Sequence, residues 1–391
     1  MLPSSSFFRQ HIRLRVRPNP VTAAAGAVFA ATALVLASSP SCYCQAFISP
    51  SPSRCSIFNA RRSLRMFSSS NDNDSVHSVA GLRDIAHHYD VFLIDQWGVM
   101  HDGYNAYPQA VACMEQLLAL GKHVILLSNS SKRKAGSLVR LVEMGFTPDK
   151  YLDVVTSGEL TFLGLSPPRT SSPYTKIQGR RVLVFGSGDD DRDYVQSMGC
   201  RIASLEEADF LLARGPFIIL ESSDPSIPPL RFGPGRILHE SAEFDALATK
   251  AVERGLPMIV SNPDIVRPGG DNDPMPGMIG QAYEKKGGRV IYVGKPYPLV
   301  YAHCRELMEE VVGKEGGLSE LKMCAIGDSM WNDIKGAVDQ EIASILVTDG
   351  IHAQALGVEQ GSGKTVREKA LNRFWEGFSF KPTHTVPCFR W

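Results

Sequence analysis

The sequence predicts an α/β fold: a parallel sheet with crossover helices, into which a second, smaller α/β domain is inserted. Three observations lead there. Short apolar runs alternate with stretches of helical period, the pattern of strand–helix units that pair in parallel. Four of these runs lead into a side chain able to do chemistry, Asp95, Ser128, Lys295 and Asp328. Between the second and third of them, the Pro-, Ser- and Gly-rich stretches 166–176 and 222–236 interrupt the alternation, while further strand-like runs lie between and beyond them.

Before the first run, residues 1–71 contain eight arginines, no lysine and no acidic residue, whereas the whole chain balances 41 basic against 41 acidic residues. The body is therefore mildly acidic, which excludes a surface suited to a nucleic-acid backbone. The leader opens with Arg9 to Arg17, continues in the alanine-rich apolar run Val21–Ala37 and turns Ser- and Arg-rich after Phe47. Residues 1–75 are expected to be a targeting presequence, a signal peptide followed by a transit-like segment. That organisation resembles the bipartite presequence of plastid proteins in algae with complex plastids, with mitochondrial or secretory targeting as alternatives. No later run is long and apolar enough to span a bilayer, so the mature form is expected to be free of the membrane.

In the body, Val91–Asp95 (VFLID) reads as a buried strand ending on a carboxylate. Pro108 opens a helix whose buried face is predicted at Ala110, Cys113, Met114, Leu117 and Leu118, and Gly121 ends it. His123–Leu127 is a second strand, leading into Ser128, and a helix over 134–144 closes at Gly145. Residues 151–286 are expected to form the inserted domain, with strands at 182–186, 209–213 and 257–264, a helix over 242–254 and a loop at 267–277. The first domain, 80–150 and 287–391, resumes with VIYVGK at 290–295, a helix over 299–312, the strand MCAIGD at 323–328, a helix over 332–340 and SILVT at 344–348. The tail from 365 reads as less regular. The five cysteines of the body are scattered without metal-ligand spacing, which suits small buried residues better than a disulfide or zinc framework.

In a parallel sheet Asp95, Ser128, Lys295 and Asp328 fall at one edge, where open α/β sheets keep their ligands. Two carboxylates, a hydroxyl and an ammonium there suit a phosphate with a divalent cation. Asp95 and Asp328 can share one Mg²⁺, which takes a few carboxylate oxygens and retains waters. Lys295 would offset phosphoryl charge, Ser128 would hydrogen-bond its oxygens, and Asp95 would attack phosphorus.

At these residues the chain resembles the haloacid dehalogenase-like hydrolase superfamily, whose core is Rossmann-like. The superfamily motifs occur in order as VFLID, VILLS, GKP and AIGDSMWND. The insertion between the second and third, with DxxGV…G at Asp95–Gly103, SNSS at Ser128–Ser131 and SNPD at Ser261–Asp264, resembles subfamily IIA and its α/β cap. The resemblance implies Asp95 as nucleophile and metal ligand, the Trp97 main-chain carbonyl as a second ligand, and Asp328 and Asp333 as acidic ligands. It implies Ser128 and Asn129 as phosphate-site contacts, Lys295 as the lysine that steadies nucleophile and phosphate, and Mg²⁺ as cofactor. A small phosphorylated metabolite is the substrate it implies, and a homodimer through the cap is the assembly such caps often form.

Trp97 departs from that family. Its phosphatases usually carry there the Asp that protonates the leaving group and activates water. Indole does neither, and His101 and Asp102 lie further along the loop. Three functions follow: a Mg²⁺-dependent phosphatase-like hydrolase acting through an aspartyl intermediate, a hydrolase of another bond of the dehalogenase or phosphonatase kind, or a catalytically weak phosphate- and metal-binding regulatory protein. Other motif-like stretches carry little. GSGKT at Gly361–Thr365 lacks the first glycine of a phosphate loop and a strong preceding strand, and the acidic run Asp189–Asp193 reads as a solvated helix start. Substrate choice is assigned to residues 155–160 and 261–280 of the cap.

Overall fold

A computed structural model describes residues 76–233, 235–266, 274–313 and 317–391. The leader expected over 1–75 and most of the loop expected at 267–277 lie outside the described residues.

Seven strands form the first sheet, in the order His77–Ser78, His384–Val386, Ala343–Val347, Met323–Gly327, Val91–Asp95, His123–Ser128 and Asp153–Thr156. Every neighbouring pair is parallel. A parallel sheet must be covered on both faces, and the alternation of side chains shows how. Phe92, Ile94, Val124, Leu126, Cys324 and Ile326 enter one buried cluster. Val91, Leu93, Ile125, Leu127 and Ala325 enter another on the opposite face.

The helix Pro108–Ala119 buries Ala110, Cys113, Met114 and Leu117 as expected. Leu118 departs from that reading and is 43% exposed. It sits about 100° around the helix from Leu117, which carries it off the buried stripe. All five cysteines of the body are buried and unpaired.

The second sheet has Arg181–Gly186 near its middle. Phe210–Ala213, Met258–Val260 and Val290–Tyr292 follow on one side, all parallel. Ile218–Leu220 and Leu230–Arg231 continue antiparallel on the other, where Arg201–Ile202 also pairs with the start of Arg181–Gly186.

The division between the sheets therefore differs from 150/151 and 286/287 at both ends. Asp153–Thr156, placed with the insertion by sequence, pairs with His123–Ser128 and ends the first sheet. Val290–Tyr292, placed with the first domain, pairs with Met258–Val260 and ends the second. A three- or four-residue apolar strand carries no local mark of the sheet it joins, because pairing is decided by distant partners. The tail is also more ordered than its sequence suggests. Glu368–Trp375 is a helix and His384–Val386 pairs with Ala343–Val347.

One apolar cluster spans both domains. Leu93 and Leu127 of the first sheet, Val184 and Leu212 of the second, and Leu160 and Leu165 of the intervening helix Ser157–Leu165 all belong to it. Burying a side chain of this kind contributes roughly 1.5–3 kcal/mol, so the cap is seated on the core by packing. Among the described residues, no helix is long and apolar enough to cross a membrane.

Candidate active site at the strand ends

The register of the first sheet builds the site. Ile94 lies opposite Ile326 and Asp95 opposite Leu127, so Asp95, Ser128 and Asp328 emerge at one carboxyl edge. Lys295 arrives from the second sheet, three residues past Tyr292. Its ammonium Nζ donates to Asp95 Oδ1 at 2.6 Å and to Asp333 Oδ1 at 2.6 Å. Asp95, Asp328 and Asp333 each present a carboxylate oxygen within 4.8 Å of the others. Lys295, Asp328 and Asp333 are buried, and the Asp95 side chain keeps 14% exposure at the mouth.

Asp333 sits in a π-type turn, Met330–Ile334, which precedes the helix Lys335–Asp339. Such turns recur at functional sites because the extra residue redirects a side chain. Ser329 caps the turn by accepting the Asn332 N–H, which frees Asp333 to face Lys295. Asp333 Oδ2 accepts the Ser329 N–H at 3.0 Å.

The electrostatics follow from three carboxylates facing one ammonium in a dry pocket. Burial alone would lower the Lys295 ammonium, but Asp333 and Asp95 outweigh it and hold its pKa above the ordinary lysine range. Burial raises Asp95, against the pull of Lys295. Burial likewise raises Asp333 to about 6, with Lys295 opposing and Asp95 adding to the shift. Asp328 lies well above the carboxylate range, through burial and then the charges of Asp95 and Asp333. It does not share the lysine's hydrogen bonds, and its Oδ2 accepts the Ile351 N–H at 2.9 Å.

Gly98 allows this approach. The chain turns there with φ of +81°, and a methyl group on it would lie 2.1 Å from Asp328 Oδ2. The same turn sets Trp97. The Gly98 N–H donates to the His101 carbonyl and the His101 N–H to the Gln96 carbonyl, and the two bridge Trp97 to His101. In a parallel bridge the central residue turns its own N–H and carbonyl to the other side. The Trp97 carbonyl takes no backbone hydrogen bond among the described residues. Its indole is half-buried, with the ring edge against Gly103.

Asn129 ties the loop after Ser128 to the lysine. Its Oδ1 accepts the Lys295 N–H at 2.8 Å, and its Nδ2 donates to the Lys295 carbonyl at 3.0 Å and to Asp264 Oδ1 at 2.8 Å. The Ser128 hydroxyl is at the same edge and accepts the Ser130 N–H at 3.2 Å. The structure thus brings Asp95, Lys295, Asp328, Asp333 and Asn129 into one connected cluster, with the Trp97 carbonyl and Ser128 at its border.

Asp264 belongs to this cluster and was quoted in the sequence only as part of a motif. It lies in the loop after Met258–Val260 and reaches the core, where its Oδ1 accepts from Asn129 and, at 3.0 Å, from Asn332 Nδ2. The signal was available: a carboxylate just past a short apolar strand, as at Asp95. Residues 155–160, assigned to substrate choice, also make bonds within the fold. Thr156 Oγ1 donates to the Lys132 carbonyl and Glu159 pairs with Arg133, bracing the loop after Ser128. The acidic run at Asp189–Asp193 is also less solvated than expected. Asp191 is 2% exposed and pairs with the buried Arg214 at 2.6 Å. Arg214 in turn joins cap to core, since its carbonyl accepts from Ser131 Oγ at 2.7 Å.

A parallel core with an inserted cap thus carries an Asp–Lys–Asp chain at its carboxyl edge. Family models agree in both halves of the core. Residues 92–201 match that for haloacid dehalogenase-like hydrolase, and residues 292–371 match a HAD-hydrolase-like family. Two separate stretches of the chain thus match haloacid dehalogenase-like hydrolase families.

Solved structures share the fold. A haloacid dehalogenase-like hydrolase from Brucella suis 1330 is 22% identical, with a TM-score of 0.58, covering 80% of this chain and 99% of that one. The p-nitrophenyl phosphatase from Archaeoglobus fulgidus is 20% identical, with a TM-score of 0.52 and coverage of 77% and 96%. NagD from E. coli K-12 is 19% identical, with a TM-score of 0.52 and the same coverage, 77% and 96%. No curated protein sequence matches significantly.

Proposed function

We propose that the protein is a Mg²⁺-dependent, phosphatase-like hydrolase of a small phosphorylated metabolite, with Asp95 as nucleophile. The observation that carries this reading is the 2.6 Å contact of Lys295 Nζ with both Asp95 and Asp333, beside a third carboxylate, Asp328. One ammonium leaves this cluster short of positive charge, and the hard oxygen donors fit Mg²⁺. Asp95, Asp328 and Asp333 would hold it together with the Trp97 carbonyl, an oxygen with no backbone partner among the described residues. When bound, the cation would offset the charge of a phosphoryl group.

The chain's own residues supply the rest. Lys295 keeps Asp95 oriented and opposes the effect of burial on its charge, so that Oδ can form a bond to phosphorus. Asn129 fixes the Lys295 backbone from both sides, and Ser128 and the N–H groups of its loop are placed at the edge where phosphoryl oxygens would sit. Positioning and fixed charge are the main sources of rate in such a site. The names of two structural relatives, p-nitrophenyl phosphatase and 4-nitrophenylphosphatase, are in keeping with this chemistry.

A second reading, a phosphate- and metal-binding protein with little turnover, draws on Trp97 in place of an acid. Labelling with ³²P from p-nitrophenyl phosphate and MgCl₂, followed by acid quench, separates the two. The first reading expects label on Asp95 that is lost in Asp95→Asn, and an unlabelled protein that still binds Mg²⁺ favours the second. A plastid address and a cap-mediated homodimer remain proposals drawn from the sequence.

A further inference from the structure

We propose that the site is built for phosphoryl donors whose leaving group departs without a proton, namely acyl phosphates, phosphoanhydrides and aryl phosphates, and that phosphorylated Asp95 accumulates during turnover. The proposal rests on the reading of Asp95 as nucleophile. It comes from asking which side chain at the mouth can hand a proton to a leaving group.

The chain leaves the strand at Asp95, passes Gln96 and Trp97, and folds back at Gly98 against Asp328. Trp97, two residues past Asp95, offers an indole, which neither gives nor takes a proton in the useful range. The ring lies against the turn at Gly103, where a methyl group would come within 3.0 Å of its Cζ2. Among the described residues, the other titratable groups nearby take part in hydrogen bonds that hold the loops. Lys295 donates to Asp95 and Asp333, and Asp328 accepts from the Ile351 N–H. Asp264 accepts from Asn129 and Asn332. His101 Nδ1 accepts the Gly103 N–H at 3.0 Å. Asp102 Oδ1 accepts the N–H groups of Tyr104 and Asn105 at 2.8 and 2.6 Å.

The two steps feel this differently for different substrates. In the first, Asp95 Oδ bonds to phosphorus while the phosphorus–oxygen bond to the leaving group breaks, its electron pair going to that oxygen. An alcohol oxygen leaving this way needs a proton, and general-acid help is worth about 10²–10⁴-fold. A carboxylate, phosphate or nitrophenolate departs as the anion and loses little. In the second step a water oxygen bonds to phosphorus, the bond from phosphorus to Asp95 Oδ breaks, and inorganic phosphate leaves. The water proton must pass to the phosphate or to solvent, because the indole at position 97 cannot take it. That step is slowed for every substrate, so the phosphorylated enzyme builds up.

The test is rapid-quench kinetics of the whole protein with MgCl₂, over acetyl phosphate, a series of substituted phenyl phosphates and glycerol phosphate. The expected result with p-nitrophenyl phosphate is a burst of about one nitrophenolate per Asp95, followed by turnover at least tenfold slower, with hydroxylamine-labile phosphate on the protein. Across the series the burst rate should fall about tenfold for each tenfold loss of leaving-group acidity, and glycerol phosphate should give almost no reaction. Trp97→Asp should flatten this dependence and remove the burst. The wild-type series decides the matter even if that variant folds poorly. Label on Asp95 with equal rates for phenyl and glycerol phosphates, or with no burst, overturns the proposal and leaves the nucleophile assignment standing. No label on Asp95 from any donor, in wild type or Trp97→Asp, overturns both.

Discussion

Asp328→Asn should make the metal-free protein more stable while removing its response to Mg²⁺. The three carboxylate oxygens lie within 4.8 Å of one another. Two unit charges at such a separation repel by roughly 3 kcal/mol at an effective dielectric of about 20. Asp328 faces two such charges, and the single ammonium of Lys295 is shared between Asp95 and Asp333, offsetting about one of them. A net repulsion of about 3 kcal/mol remains. The amide oxygen can still accept the Ile351 N–H, so the change removes charge and keeps shape. For a body of roughly 300 residues, about 3 kcal/mol corresponds to a rise of about 5 °C in Tm. The sign with pH is fixed by the direction of the shift. Burial and the charges of Asp95 and Asp333 hold the folded Asp328 carboxyl well above its ordinary value. The stability it contributes is therefore full below about pH 4, where the unfolded chain also holds the proton, and is lost as pH rises through the folded value. The gap between variant and wild type should widen as pH rises above about 4 in thermal melts with EDTA. With MgCl₂ at 100 times Kd the gap should close, since the ligand stabilises the wild type by about 3 kcal/mol and the variant lacks the site, and at about 1,000 times Kd, where the gain is about 4 kcal/mol, the order reverses. A lower metal-free Tm for Asp328→Asn would refute the view of the cluster as repelling carboxylates suited to a cation.

Two further perturbations test how the cluster is held. Gly98→Ala combines a left-handed φ with a methyl group 2.1 Å from Asp328 Oδ2, so Mg²⁺ affinity by calorimetry should fall by at least about tenfold and stability by about 2–4 kcal/mol. Gly287→Ala, at φ of +90° with open space around it, should show the backbone cost of about 1–2 kcal/mol alone and leave Mg²⁺ binding intact. Asp264→Ala leaves Asn129 Nδ2 and Asn332 Nδ2 without their shared acceptor. It should cost about 3 kcal/mol in thermal melts and slow phosphorylation of Asp95, and Asp264→Asn, which keeps an acceptor oxygen, should recover most of both.

Much of this protein was legible in its sequence, for a physical reason. Apolar runs such as VFLID and MCAIG are buried on both faces, and a run that ends on a polar side chain places that side chain at a sheet edge. Asp95, Ser128 and Asp328 could therefore be placed at one edge before any coordinate was known, and the order of the motifs was enough to bring in Lys295, Asn129 and Asp333. The indole at position 97 was equally plain. What local sequence did not hold was pairing across distance. Whether Val290–Tyr292 or Asp153–Thr156 joins the first or the second sheet depends on which neighbour is already there, and both joined the other one. The burial of Asp191 against Arg214 depends on contacts across the cap, and the reach of Asp264 to Asn129 and Asn332 on how the cap is seated. That seating comes from an apolar cluster shared by both sheets and the helix between them. The sequence by itself determined which groups are present and on which edge they emerge. Only the tertiary structure decided their distances, and at this site the distances set which carboxylates share the lysine and which is left to repel.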